Sequence, residues 1–155
     1  FCLVTFRYIK KICLHIIKIV FYIFHMDNKK SLALVAHNNK KIDMVQFCVE
    51  HYKKLKNYEL FATDGTANAI RKVCPTLKIN RIGHGPDGGD VHISYNILED
   101  KFDALLFFID TKTAHGHEHD IQTLIRTCAT KNVPFALNTS TARIVIDGLK
   151  QILPK

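Results

Sequence analysis

The run His84-Gly85-Pro86-Asp87-Gly88-Gly89-Asp90 concentrates the chemical potential of this chain. Together with Gly83 it holds four of the chain's seven glycines, and a carboxylate follows the last of them at once. Glycines this dense let backbone N–H groups approach a ligand without interference from Cβ. If a helix starts at Asp90, those N–H groups also lie at its positive end, where an anion is welcome. One segment then offers an anion cradle and, beside it, a carboxylate able to move a proton. The same residues also fit a tight loop with an ordinary Asp N-cap.

Other residues repeat the theme. His37 and Lys41 lie four apart at the expected start of the first helix, a spacing that suits a phosphate clamp. Asp64-Gly65-Thr66 is a strand-to-helix turn whose N–H groups and hydroxyl also suit an anion. Asp110 closes a buried strand, where an unpaired carboxylate is costly, so it either caps the next loop or orients a partner at the site. The loop Thr111-Lys112-Thr113-Ala114-His115-Gly116-His117-Glu118-His119-Asp120 alternates three histidines with two acids. Zinc ligands are usually spaced more widely or share a helix face. His117 and Asp120, three apart on the way into a helix, fit proton transfer at least as well.

A regular alternation of elements must place these groups. Short β-favouring runs fall at Leu32–Ala36, Tyr58–Thr63, Lys78–Ile82, Ala104–Ile109 and Val133–Asn138, with helical segments between them. Over 40–57, Ile42, Val45, Val49 and Tyr52 keep helical spacing, with Cys48 and Leu55 widening the stripe. Over 118–131, Ile121, Leu124, Ile125 and Cys128 do the same. Shorter helices fit 65–74, stopped by Pro75, then 90–100 and 141–152. The unbroken apolar run Ala104–Ile109 is that of a parallel strand buried on both faces. The expected fold is α/β: a single doubly wound domain, with a five-stranded parallel sheet and helices on both faces. Ligands bind such sheets at the carboxyl ends of the strands, where His37, Thr63–Thr66, the glycine run, Asp110 and Asn138–Thr141 all gather.

Composition narrows the classes. The 155 residues allow one domain with a proper core. Half of the formal net charge of +8 belongs to residues 1–25, which hold Arg7, Lys10, Lys11 and Lys18 and no acid. The remainder has no basic block interleaved with aromatics, so nucleic acid is not an expected partner. Residues 1–25 are apolar but broken by charge, too short a clear run for a membrane span and without a signal-peptide plan. They are expected to stand apart from a working domain at 26–155, as translated leader. If retained, they could lie on an anionic bilayer, and membrane contact is expected only then. The five cysteines form no CxxC or metal spacing, and Cys48, Cys74 and Cys128 fall on apolar helix positions. Reduced thiols and a cytoplasmic location follow.

In order along the chain stand LALVAH with Lys41 after it, IDMVQF, FAT-x-GT, GPxGGD, FFxD, HxxD and VPxAxNxxTA. This succession, over most of residues 32–146, resembles the methylglyoxal synthase family. The resemblance implies a lyase that converts dihydroxyacetone phosphate to methylglyoxal and inorganic phosphate, without metal or organic cofactor. It makes Asp90 the base, lets His117 handle the proton on the enediol oxygens, has Asp120 assist elimination and puts Asp110 in the same polar cluster. His37, Lys41, Thr63, Thr66 and the Gly85 N–H would hold the phosphate, with Gly65 keeping the turn close. It further implies a homo-oligomer, usually a hexamer, and inorganic phosphate as product and inhibitor. The sequence departs from the family pattern at Asn38 (usually Asp), at Gly65-Thr66-Ala67 (usually Thr-Thr-Gly) and at His84 (commonly Ser). Thr111 and His119 replace prolines. The same domain type also serves as a non-catalytic regulatory module that binds phosphorylated metabolites, which is the alternative function.

Overall fold

The computed structural model describes residues 29–114, 116 and 118–149. The expected extension at 1–25 lies outside them, as do His115 and His117 of the histidine loop. Strand β1 (Ser31–Ala36) leads through one tight helical turn to α1 (Lys41–Glu50) and the single-turn α2 (Tyr52–Leu55). Strand β2 (Glu59–Ala62), α3 (Asp64–Val73) and β3 (Ile79–Arg81) follow. A wide turn over Gly85–Gly89 enters α4 (Asp90–Leu98). The chain continues through β4 (Ala104–Phe108), α5 (Glu118–Thr130), β5 (Phe135–Ala136) and α6 (Thr139–Gly148).

All strand pairs are parallel, in the order β3-β2-β1-β4-β5. The chain moves outward from β1 to β3, then returns to the other side of β1 with β4. The reversal lies between β1 and β4, so the crevice that a parallel sheet offers a ligand opens there.

The sheet is buried on both faces, which explains the apolar strands without alternation. Leu32, Leu34 and Ala36 of β1, with Ala104, Leu106 and Phe108 of β4, face one core. It is filled by Met44 and Phe47 of α1, Ala67 and Ile70 of α3, and Ala142 and Ile146 of α6. The intervening Ala33, Val35, Leu105 and Phe107 face a second core of Ile93 and Ile97 from α4 with Ile121, Leu124 and Cys128 from α5. The period of two along each strand thus divides its side chains between two helix layers.

Element ends follow local chemistry. Asn138 caps α6, its Oδ1 accepting from Thr141 N at 2.9 Å. Asp100 and Asn132, beyond α4 and α5, adopt positive φ of 56° and 52°, which short polar side chains tolerate. The strand expected over Val133–Asn138 pairs regularly only at Phe135–Ala136. Pro134 has no N–H to give, though its carbonyl still accepts from Leu105 N at 3.0 Å.

The helix expected over 40–57 breaks at His51, and its apolar stripe is phased differently. Ile42 is 78% exposed and Val49 49% exposed, while Met44, Phe47, Cys48 and Leu55 are buried. Apolar residues run almost all round α1, so spacing alone does not choose a face. Packing chooses it: Phe47 meets Phe108 edge-on at 5.7 Å between ring centroids. The cysteine expectation holds, with Cys48, Cys74 and Cys128 reduced and buried. Burial, and secondarily Cys74, pushes the Cys48 thiol up to about 12.

Truncating Phe108 to Ala should cost about 3–5 kcal/mol, whereas Ile42→Ala should stay within about 0.5 kcal/mol. Urea unfolding midpoints of the two variants check the helix phase directly. A second expectation concerns His51, whose Nε2 is buried without a hydrogen bond among the described residues. Burial, then Lys54, lowers its pKa. The unfolded chain therefore takes up a proton there more readily than the folded one, and stability falls as pH drops below the ordinary histidine value of about 6.5. Comparing urea midpoints at neutral and mildly acid pH, His51→Gln should flatten that fall. An unchanged slope would assign it to other groups.

Candidate active site

Helices following parallel strands start at the carboxyl edge of the sheet, and at the β1–β4 reversal this edge holds a cavity of about 290 Å³. His37, Asn38, Asn39 and Lys41 reach it from the segment after β1, Thr63 and Gly65 from the turn after β2. His84, Gly85 and Asp90 reach it from the glycine segment, and Phe107 and Thr113 from β4 and its loop.

The crevice is bridged where the two central strands end. His37 N donates to Phe108 O at 3.1 Å, and Asp110 N donates to His37 Nδ1 at 3.0 Å. Because Nδ1 accepts, the proton of the neutral ring is on Nε2. The ring also stands edge-on to Phe107, 5.0 Å between centroids. Both expectations for Asp110 are met: it caps its loop and it orients partners. Its Oδ1 accepts from Lys112 N at 3.0 Å, and its Oδ2 accepts from Asn39 Nδ2 and Thr113 Oγ1, each at 2.7 Å. With so many donors on a buried carboxylate, Asp110 holds the walls of the cavity rather than lining it.

One end of the cavity suits an anion. Lys41 Nζ donates to the neutral Asn38 Oδ1 at 2.7 Å and lies over Gly65, where an added Cβ would come within 2.6 Å of it. Thr63 and Gly65 stand at the N-terminus of α3, whose positive end favours an anion although the Asp64 N–H is taken by the Gly83 carbonyl at 2.8 Å. Thr66 lies beneath. It is 1% exposed, and its Oγ1 accepts from Ala36 N and from Thr63 Oγ1, both at 3.1 Å. It joins α3 to the end of β1 and stays out of the lining.

The other end carries the carboxylate. Gly88 turns the chain at φ 97°, and a Cβ on Gly89 would meet the His84 carbonyl oxygen at 2.7 Å. Gly89 N instead donates to that oxygen at 2.9 Å. This close turn delivers Asp90 as the first residue of α4, with Gly89 as the N-cap, so the capping role open to Asp90 in the sequence is not taken. Asp90 is 2% exposed, and its Oδ1 would stand 3.7 Å from a Cβ on Gly85. The buried carboxylate and the Gly85 backbone come from one segment.

Asp120 lies in the first turn of α5, half-buried and away from the described lining. His117 lies outside the described residues. Among the described residues no group of three His, Cys, Asp or Glu is placed to hold a metal ion, and no helix is long and apolar enough to cross a membrane. Sequence reasoning missed Asn39 and Thr113, whose only signal was their place just after the ends of the two central strands.

Comparison with known proteins places the fold in a family. The model of the MGS-like domain family matches residues 43–137. Methylglyoxal synthase of Agrobacterium fabrum is 38% identical over 122 residues, covering 79% of this chain and 96% of that protein. Methylglyoxal synthase of a Geobacillus species is 41% identical over 120 residues, covering 77% and 85%. The crystal structure of methylglyoxal synthase from Elizabethkingia anophelis superposes with a TM-score of 0.72 at 34% identity, covering 76% of this chain and 77% of that one. Sequence and fold together make this chain a member of the methylglyoxal synthase-like (MGS-like) domain family.

Proposed function

We infer that the protein converts dihydroxyacetone phosphate to methylglyoxal and inorganic phosphate. The observation that carries this reading is the cavity itself, where a buried carboxylate, Asp90, shares one enclosed space with an anion end built from Lys41, Thr63 and Gly65. An α-hydroxyketone phosphate needs both ends at once.

Asp90 takes a proton from the hydroxymethyl carbon; the electrons of that C–H bond form a C=C bond to the carbonyl carbon, and the carbonyl π pair moves onto its oxygen, giving an enediolate. Such a C–H becomes acidic only where the developing charge is stabilised. The Nε2–H of His37 is a donor at the cavity wall. His117 is the imidazole assigned to move the proton between the enediol oxygens, and Asp120 to assist elimination. The enediolate then collapses and expels phosphate from the neighbouring carbon, and the enol left behind tautomerises to methylglyoxal. Expulsion requires the C–O bond to phosphate to stand roughly perpendicular to the enediolate plane, overlapping the π system. The phosphate is held by Lys41, Thr63, the Gly85 N–H and the start of α3, with Thr66 supporting that turn from below; His37, expected on the phosphate, is read here as serving the carbonyl end. In this reading Asp110 acts by orienting His37 and the loop after β4. Inorganic phosphate, the product, occupies the same anion end and inhibits. Exposed apolar side chains such as Val91, Tyr95 and Leu98 on one side of α4 favour assembly into a homo-oligomer, with a hexamer as the family expectation. The reduced, buried thiols favour a cytoplasmic location.

Incubated with dihydroxyacetone phosphate, the protein should release methylglyoxal and phosphate in equal molar amounts. Asp90→Asn should lower kcat by about 10²–10⁴-fold while still binding phosphate. Turnover absent from folded wild-type protein that binds phosphate would instead make it a non-catalytic phosphometabolite-binding module. Gly65→Ala tests the anion end, since the new methyl forces the flexible Lys41 side chain aside and leaves the backbone in place. Loss of one charge-assisted hydrogen bond should raise KM roughly tenfold or more, with the melting temperature retained.

A further inference from the structure

The turn after β1 reaches Asp110 twice. His37 meets the backbone of that residue, its Nδ1 accepting from Asp110 N at 3.0 Å. Asn39 meets the side chain, its Nδ2 donating to Asp110 Oδ2 at 2.7 Å and to Thr113 Oγ1 at 3.4 Å. A carboxylate oxygen only accepts, so the amide presents its nitrogen here. Lys40 N donates to His37 O at 2.8 Å and closes the turn, which holds His37 and Asn39 together. Both residues line the cavity. Lys112 N and Thr113 Oγ1, which also donate to the carboxylate, belong to its own loop. Asn39 comes from the opposite wall.

We propose that Asn39 is a positioning residue for the reaction. By keeping the Asp110 carboxylate engaged, it leaves the Asp110 N–H as the partner of His37 Nδ1 and fixes the ring with its proton on Nε2. The proposal rests on the reading in which that Nε2–H serves the substrate carbonyl. Two arguments carry it. First, a single hydrogen bond lets its partners pivot about its axis, whereas two bonds from one turn to one residue remove that freedom. The His37 ring is thereby held at a set angle to the cavity. Second, the atom of Asp110 that faces the imidazole decides the tautomer. A backbone N–H only donates and so requires a bare Nδ1. A carboxylate only accepts, and in the same place it would require a proton on Nδ1. The neutral ring would then present a bare Nε2 to the cavity and have no donor for a carbonyl oxygen. Asn39 ties the carboxylate down on the far wall and keeps the backbone N–H in front of the ring.

The test uses the whole chain and two readouts: steady-state kinetics with dihydroxyacetone phosphate, and imidazole nitrogen NMR of isotope-labelled protein, with His37 assigned by the signals lost in His37→Gln. Wild-type His37 should show a bare Nδ1 and a protonated Nε2. Asn39 is exposed, so its variants should stay folded. Asn39→Ala should lower kcat by about tenfold, the weight of one hydrogen bond to a charged group. KM should stay within about twofold, and His37 should show a mixture of tautomers. Asn39→Asp keeps the shape, removes the donor and sets a like charge against Asp110, so kcat should fall further. Asn39→His, whose Nδ1–H stands as many bonds from the backbone as the amide nitrogen, should recover most of the loss. A kcat within about twofold of wild type in both Asn39→Ala and Asn39→Asp would overturn the proposal. So would a fall in kcat with the His37 tautomer unchanged, or a loss carried by KM alone. If wild-type protein releases no methylglyoxal, the reading of the reaction fails. The tautomer of His37 in Asn39→Ala and Asn39→Asp then decides the positioning role by itself.

Discussion

The hydrogen bond from the Asp110 N–H to His37 Nδ1 is the contact on which the arrangement of the cavity depends. Reversal of strand order between β1 and β4 pulls their following loops apart, which opens the crevice but leaves its walls unsupported. This bond and the neighbouring one from His37 N to Phe108 O span the gap at its base. Above them the Asp110 carboxylate gathers Asn39 from one wall and Thr113 from the other. A carboxylate so engaged is satisfied although buried. It is a poor base for the same reason, and that sets it apart in role from Asp90.

A second consequence of the fold is the separation of the two chemical ends. The anion end is built from the starts of α1 and α3, which pack on one face of the sheet. Asp90 starts α4, which packs on the other. In the reaction proposed above, phosphate would be held from one layer and the reacting carbon approached from the other, so the offset of the two layers would set the angle between the C–O bond to phosphate and the enediolate plane.

Much of this was legible in the sequence because two patterns coincide there. The change of hydrophobic period from helix to strand marks the elements, and polar residues fall just after each strand, where a parallel sheet binds ligands. His37, Lys41, Thr63, Gly65, Gly85 and Asp90 are all found at the cavity for that reason. Failures occurred where period carries no information. Helix α1 is apolar almost all round, so its buried face was decided by the fit of Phe47 against Phe108, a contact between residues far apart in sequence. The position of Thr66 was also hidden, since its hydroxyl serves the last N–H of β1. A turn residue that binds a ligand and one that satisfies a strand end have the same spacing. Asn39 and Thr113 were invisible because their significance lies in a shared partner, Asp110, reached across the sheet reversal.

The division between layers also explains why departures from the family pattern can accumulate at one end of the site. Asn38, Ala67 and His84 all differ from the usual residues, and the structure places Asn38 beside Lys41 and His84 on the rim, while Ala67 is buried in α3. The backbone at Asp90 needs none of these side chains for its position. It is set through the Gly89 N–H to the His84 carbonyl and the start of α4, and any residue at position 84 supplies that carbonyl. Side chains at the rim can therefore change without moving the backbone that carries Asp90. The neutral Asn38 beside Lys41 leaves the ammonium charge without a local carboxylate, so that charge is available to an anion in the cavity.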